Sequence, residues 1–145
     1  QLGLNVPVIG GNGMNSVKVF DLAKERADGL WVGSPWSIEN ATPENTRFIA
    51  AYKAKYNVAP DQFAAQAYDA MHIVAEALKK VKLSGKLQAD RDALQAALPA
   101  VKITGATGAF QFRQAKGAAG KPGGYDAVQT PIVMVTRGGR YVIEK

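Results

Sequence analysis

The chain has 145 residues, 15.4 kDa, with 47% hydrophobic and 21% charged residues, the size and composition of one ordinary folded domain rather than of a disordered, collagen-like or coiled-coil chain. It has no cysteine and one histidine, which excludes disulfide frameworks, thiolate metal sites and cysteine nucleophiles and leaves little for histidine-based catalysis or zinc binding. The formal net charge of +6 and pI near 9.6 favour attraction to anions without marking nucleic-acid binding, and no apolar run approaches the roughly 20 residues that cross a bilayer.

The chain opens on Gln1, and its first residues show neither a charged n-region nor a long apolar h-region, so no signal peptide is visible. Gln1-Leu2-Gly3 reads as the end of a helix with Gly3 at C′, as if the chain opened in mid-fold. Val6-Pro7-Val8-Ile9 is a short β-prone run that stops at Gly10-Gly11-Asn12-Gly13, a strand feeding a glycine-rich loop. Asn15 or Ser16 is positioned to cap a helix over about 16–26, with Val19, Phe20 and Ala23 inward. Leu30-Trp31-Val32-Gly33 is a second strand. Strand, helix and strand in this length make a βαβ unit and a parallel pair.

Thr42-Pro43-Glu44 combines a capping hydroxyl, a proline at the first helical position and an early acid. Phe48, Tyr52 and Tyr56 then share one helical face, and Asn57 and Pro60 close the helix. Asp61 caps the longest predicted helix, about 62–82. On it Phe63, Ala67, Met71, Val74, Leu78 and Val81 recur at helical spacing, the pattern of an inward stripe. Asp90 is the expected cap of a further helix carrying Leu94 and Leu98 and stopped by Pro99. Ala109-Phe110-Gln111-Phe112 reads as a strand, 115–124 as a flexible loop, and Pro131–Val135 and Tyr141–Ile143 as a hairpin about a Gly138-Gly139 turn.

Few constellations carry chemistry. Gly11-Asn12-Gly13 follows a strand and precedes a helix, where α/β proteins bind ligands. The dinucleotide fingerprint would need a third glycine where Ser16 stands, and no Walker lysine–hydroxyl pair follows. The bland alternative is a tight loop needing glycine. In the ligand reading the glycines admit a solute to the backbone, helix N-terminal amides face it, and Asn12 offers donor and acceptor. Asp69, His72 and Glu76 share a helix side, a spacing that suits metal ligands, although a solvated face accounts for it more simply. Lys79, Lys80, Lys82 and Lys86 lie where cations complement a helix C-terminus, and no aromatic residues interleave for base stacking. Gly33-Ser34-Pro35-Trp36 lacks the second glycine of a nucleophile elbow. Trp36, just after a strand, marks either a pocket wall or hinge, or plain packing.

The order of these elements resembles the C-terminal part of periplasmic solute-binding proteins of the branched-chain amino-acid type, which serve ABC transporters. The resemblance rests on Val6–Gly13, Asp28–Val32, Pro43-Glu44-Asn45 with Phe48 and Tyr52, Phe63–Ala70, Arg91–Leu98, Thr107-Gly108 with Phe112, and the final hairpin. It covers essentially the whole chain. It implies an α/β fold: part of a two-lobed type I clamshell, with parallel sheets flanked by helices and a C-terminal β-hairpin. Residues 1–35 would end the second lobe, 36–127 complete the first, and 128–145 return to the second. It further implies a non-catalytic periplasmic protein that captures a small solute without a cofactor. Its partners would be the small-molecule ligand, an ABC transporter permease and an N-terminal half of the same protein. Pairing with that half, or self-association with a second copy, would cover apolar surface.

The candidate ligand-binding residues are Gly11, Asn12, Gly13, Met14 and Trp36. The resemblance places Asn12 where the family has an acid that pairs with a ligand ammonium. An amide does not neutralise a buried ammonium, so Asn12 favours a small carboxylate, aromatic or aliphatic, or an amide-bearing ligand over a zwitterionic amino acid. Two readings compete: a ligand-sensing regulatory domain of the same architecture, and a small α/β enzyme acting at the Gly11–Gly13 loop. The enzyme would need a general base, and His72 is the only histidine. An anion- or nucleic-acid-binding domain would reveal itself by steep salt dependence.

Overall fold

The computed structural model describes residues 6–118 and 121–144; the Gly3 cap expected at the N-terminus lies outside them. Two sheets divide the strands. The first has the order β1 (Ile9–Gly10), β2 (Trp31–Ser34), β6 (Ile132–Arg137), β7 (Arg140–Ile143). Between β1 and β2 runs the short helix α1 (Lys18–Ala23), and the two strands are parallel, Ile9 opposite Trp31: the βαβ unit is present. β6 and β7 add antiparallel neighbours. The Gly138-Gly139 turn joins them with φ of 57° and 75°, the left-handed pair that a two-residue hairpin of matching twist requires. The second sheet, β3 (Lys102–Gly105), β4 (Gly108–Lys116) and β5 (Pro122–Val128), is antiparallel throughout. Helices α2 (Pro43–Tyr56), α3 (Gln62–Leu78) and α4 (Leu87–Ala97) lie between the two sheets in sequence.

The start signals of α2 and α3 act as their chemistry demands. Thr42 Oγ1 accepts from the Asn45 amide, Pro43 occupies the first turn, and Asn57 closes α2 in the left-handed conformation. Asp61 accepts from the Ala64 amide at 2.8 Å. Lys79, at the end of α3, pairs with Glu76, and Lys80 donates to the Ala100 carbonyl, so these two members of the basic run serve local structure.

Several expectations are corrected. Neither Asn15 nor Ser16 is the N-cap of α1; that position is Val17. Asn15 is instead buried, and Ser16 Oγ accepts only the Lys18 amide, at 3.3 Å. Lys24 then adopts φ 50° and the chain tightens into a 3-10 turn over Lys24–Ala27. Asp90 does not cap α4, whose N-cap is Lys86; it sits in the first turn and reaches back to the Ser84 and Gly85 amides and the Ser84 hydroxyl. The stretch expected to be a loop contributes the last residues of β4 and the start of β5, because a hairpin supplies the backbone partners that composition does not reveal.

The largest correction concerns α3. It ends at Leu78, and its apolar stripe faces out: Phe63 is 53% and Met71 69% exposed. The inward edge is Gln62, Ala65, Asp69 and Ala77. Two small cores result. Leu30, Val32 and Met134 pack under the first sheet. Trp36, Phe48, Ala65 and Ala106 join α2 and α3 to the turn between β3 and β4. The chain exposes 10151 Å², against about 7,200 Å² for a closed monomer of this mass.

Candidate functional site

The loop after β1 is clamped from two sides. Residues Asn12–Met14 form a single 3-10 turn closed by the Met14 amide on Gly11 O and the Asn15 amide on Asn12 O, both at 3.0 Å. From α3, Gln62 Nε2 donates to the Asn12 carbonyl at 2.5 Å. From β7, the Tyr141 hydroxyl donates to the Met14 carbonyl and accepts from the Ser16 amide. Burial pushes the Tyr141 phenol above its ordinary pKa, partly offset by its backbone bond at Ser16, so the hydroxyl keeps its proton and remains a donor. The expected row of helix amides facing a ligand is absent here: two of the loop amides are spent inside the turn, and α1 begins only at Lys18.

Gln62 has no exposed surface and anchors a polar junction between the first sheet and α3. Ser34 Oγ donates to Gln62 Oε1 at 2.8 Å, and Asn15 Nδ2 donates to Ser34 Oγ and to the Trp36 carbonyl. Trp36 itself is 3% exposed, its indole N–H donating to Asn45 Oδ1 at 2.6 Å. Asn45 Nδ2 in turn holds the Ser37 and Asn40 carbonyls. Each buried polar group has a partner, the condition under which such a network holds a unique geometry.

The five expected site residues do not gather in one place. Asn12 lines a depression of about 300 Å³ with Gly33, Ser34, Pro35, Gln66, Gln129 and Pro131. It lies at the C-terminal ends of the parallel strands β1 and β2, where open α/β sheets bind ligands. Gly11 and Gly13 are exposed on the same loop, and Met14 is partly so. Trp36 is a packed aromatic that lines a different cavity, of about 400 Å³, between α1, the start of α3 and β7. None of the seven residues that line the depression is ionisable, and three of them, Asn12, Gln66 and Gln129, carry carboxamides. Gln66 lies on α3 and Gln129 just after β5, so only the folded chain brings them to Asn12.

The Asp69–His72–Glu76 face does not hold together. Asp69 is 4% exposed, neither a solvated side chain nor a partner of His72. Its Oδ1 accepts from the Ala106 amide at 2.8 Å, and its Oδ2 from the Thr107 amide and hydroxyl at 2.7 and 2.6 Å. A Cβ on Gly105 would strike that carboxylate, which is why glycine stands there. His72 packs edge-on to Tyr68 at 4.5 Å in a separate groove with Arg47 and Lys102. It does not line the depression at Asn12, so the enzyme reading loses its only histidine base at that loop. No cluster of three metal-ligating side chains forms among the described residues.

A sequence model of the periplasmic binding protein family matches residues 1–129. The chain belongs to this family. Among solved members, the branched-chain amino acid transporter substrate-binding protein LivJ of Streptococcus pneumoniae, in complex with isoleucine, is 30% identical with a TM-score of 0.74, over 99% of this chain and 38% of that one. The leucine-binding protein LivK of Thermotoga maritima superposes with a TM-score of 0.78 at 22% identity, over 99% and 38% of the two chains, and shares the fold. A Rhodopseudomonas palustris solute-binding protein in complex with benzoate is 26% identical, TM-score 0.69, over 95% and 35%. No curated protein sequence matches the chain. This periplasmic binding protein chain thus spans less than two-fifths of the length of these relatives, and its α/β architecture corresponds to part of their type I fold.

Proposed function

We propose that this chain forms one wall of a two-lobed binding protein that captures a small solute in the periplasm and delivers it, unchanged, to an ABC transporter permease. The observation that carries the reading is the uncharged, carboxamide-lined depression at the C-terminal ends of β1 and β2, on a chain of the periplasmic binding protein family. Membership in that family supports the class of function, since the solved relatives are substrate-binding proteins whose complexes hold isoleucine or benzoate. Nothing at the depression acts as nucleophile or base, which suits capture rather than turnover.

The lobe boundaries we assign are 1–35, 36–127 and 128–145. They are supported by the strand inventory: the first sheet draws on residues before 35 and after 131, the second on residues between 102 and 128. An N-terminal half of the same protein would complete both lobes and the facing wall of the cleft, and closure of the lobes would present the solute to the permease.

Gly11, Asn12, Gly13 and Met14 form the solute-facing loop in this reading, and Trp36 supports it from the packed junction. The solute is an amino acid or a small aromatic or aliphatic carboxylate or amide. Asn12 favours those without a buried ammonium facing this wall, because an amide offers hydrogen bonds but no countercharge. The test is calorimetry on the complete protein with leucine, isoleucine, benzoate and benzamide. Binding without turnover, weakened about tenfold or more by Asn12→Ala, is the expected result. No binding by any of the four, or conversion of one of them, would reject the reading.

A further inference from the structure

Gln129 lines the Asn12 depression just after β5. Its Nε2 donates to Thr107 Oγ1 at 2.7 Å. Thr107 in turn stands on Asp69, which is buried between α3 and the β3–β4 turn. A chain of three side chains therefore runs from the inner edge of α3 to the wall of the candidate cleft.

The direction of each hydrogen bond in this chain follows from chemistry. The Thr107 hydroxyl donates to Asp69 Oδ2 and so spends its single proton there. Thr107 Oγ1 is left with lone pairs and must be met by a donor. Gln129 therefore turns its NH2 toward Thr107, and its Oε1 is the end left over. The two ends of a carboxamide are assigned from such networks, and this network admits one assignment. Among the described residues, Oε1 has no protein partner.

We propose that Gln129 reads the solute: its side-chain oxygen accepts a hydrogen bond from an N–H or O–H of the captured molecule, and the Asp69–Thr107 pair holds it in that orientation. The inference rests on the capture function proposed above and deepens it by naming the group recognised. With Asn12 and Gln66 the only other polar side chains of the wall besides Ser34, the donor it favours is neutral: a carboxamide or a hydroxyl. Ser34 is not free to supply that reading, because its single hydroxyl proton goes to Gln62 Oε1 and its oxygen accepts from Asn15 Nδ2. Gln129 is then a ligand-contacting residue, whereas Thr107 and Asp69 are positioning residues that act through it.

The experiment measures dissociation constants of the complete protein for leucine, benzoate, benzamide and 4-hydroxybenzoate, with Gln129→Leu, Thr107→Val and Thr107→Ser beside the parent. Gln129→Leu is expected to weaken the tightest donor-bearing member about tenfold or more, and to leave benzoate, which has no donor when ionised, within about twofold. A tenfold change is the loss of one well-placed hydrogen bond to a desolvated partner. Thr107→Val should reduce the preference for donor-bearing solutes over benzoate in the same direction, and Thr107→Ser, which keeps the hydroxyl, should restore it. A purely structural role for Thr107 would move the melting temperature without moving that preference. If the tightest donor-bearing solute is unaffected by Gln129→Leu, or if benzoate weakens as much as the donor-bearing solutes, the inference is overturned while the capture reading stands. If neither these four nor isoleucine binds the parent protein, the capture reading falls and this inference with it.

Discussion

The two faces of α3 invert the usual arrangement. Toward the protein it presents a glutamine, an aspartate and alanines, and toward solvent a phenylalanine, a tyrosine and a methionine. The inward polar groups are stable there because each is satisfied: Gln62 bridges Ser34 to the Asn12 carbonyl, and Asp69 takes three hydrogen bonds from one turn. The outward face pairs Tyr68 with Phe48, and with Met71 it borders an apolar groove that reaches Tyr52 and Tyr56 on α2. Contiguous apolar surface of that kind is rare on closed monomers. It accords with a chain that spans 38% of its relatives and exposes more area than its mass requires. The difference teaches that α3 is amphipathic twice over, with a hydrogen-bonding edge that builds the site and an apolar edge that this chain leaves open.

Asp69→Ala attacks the polar edge where it is strongest. It leaves the Ala106 and Thr107 amides without acceptors in a buried turn, and orphaned buried donors cost about 1–3 kcal/mol each. We expect a loss of about 3–5 kcal/mol by denaturant unfolding, larger than for any single change on the outer face. Gly105→Ala should follow at about 1–3 kcal/mol, the usual cost of forcing a methyl into filled space, here against the Asp69 carboxylate; a neutral result would mean that the carboxylate does not lie so close. Gln62→Leu should cost about 1–2 kcal/mol. Its sharper signature is faster amide exchange at Met14 and Asn15, since the clamp on Asn12 is gone while the fold remains.

On the outer face, Met71→Ser should change the stability of this chain by less than about 0.5 kcal/mol, as for an exposed position. A loss above 1 kcal/mol would erase the contrast between the two edges. The mildest effect belongs to Asp90. Hydrogen bonds from the Ser84 amide, the Ser84 hydroxyl and the Gly85 amide hold its carboxyl below the ordinary carboxylate range. A depressed folded pKa means that its contribution is present above the unfolded value and disappears as pH falls through the folded one. Acidification should therefore loosen the start of α4 first, seen as exchange at Ser84 and Gly85, and Asp90→Asn should remove that dependence.

Much of the architecture was legible because its signals are local. Thr42-Pro43, Asp61, Asn57 and Gly138-Gly139 act through their own backbone neighbourhood, and each does in the structure what its side chain dictates. The order of elements was enough to place the chain in its family. The apolar period of α3 was read correctly as a helix, but a period does not say which stripe faces inward when a second edge can satisfy its polar groups. The antiparallel strands β3 and β5 were missed because Lys102–Gly105 and Pro122–Val128 become strands only by pairing with β4.

The sequence by itself determined the family, the helices α2 and α3 with their caps, the βαβ unit, the closing hairpin, and Asn12 as a candidate contact, all through propensity, spacing and order. Only the tertiary structure decided that Trp36 is packed away from Asn12, that His72 lies in another groove, and that Gln66 and Gln129 come to the same depression as Asn12. Hydrogen-bond direction along Asp69, Thr107 and Gln129 depends on three residues 38 and 22 positions apart. Such a chain has no sequence period, because a hydrogen bond is set by distance in space.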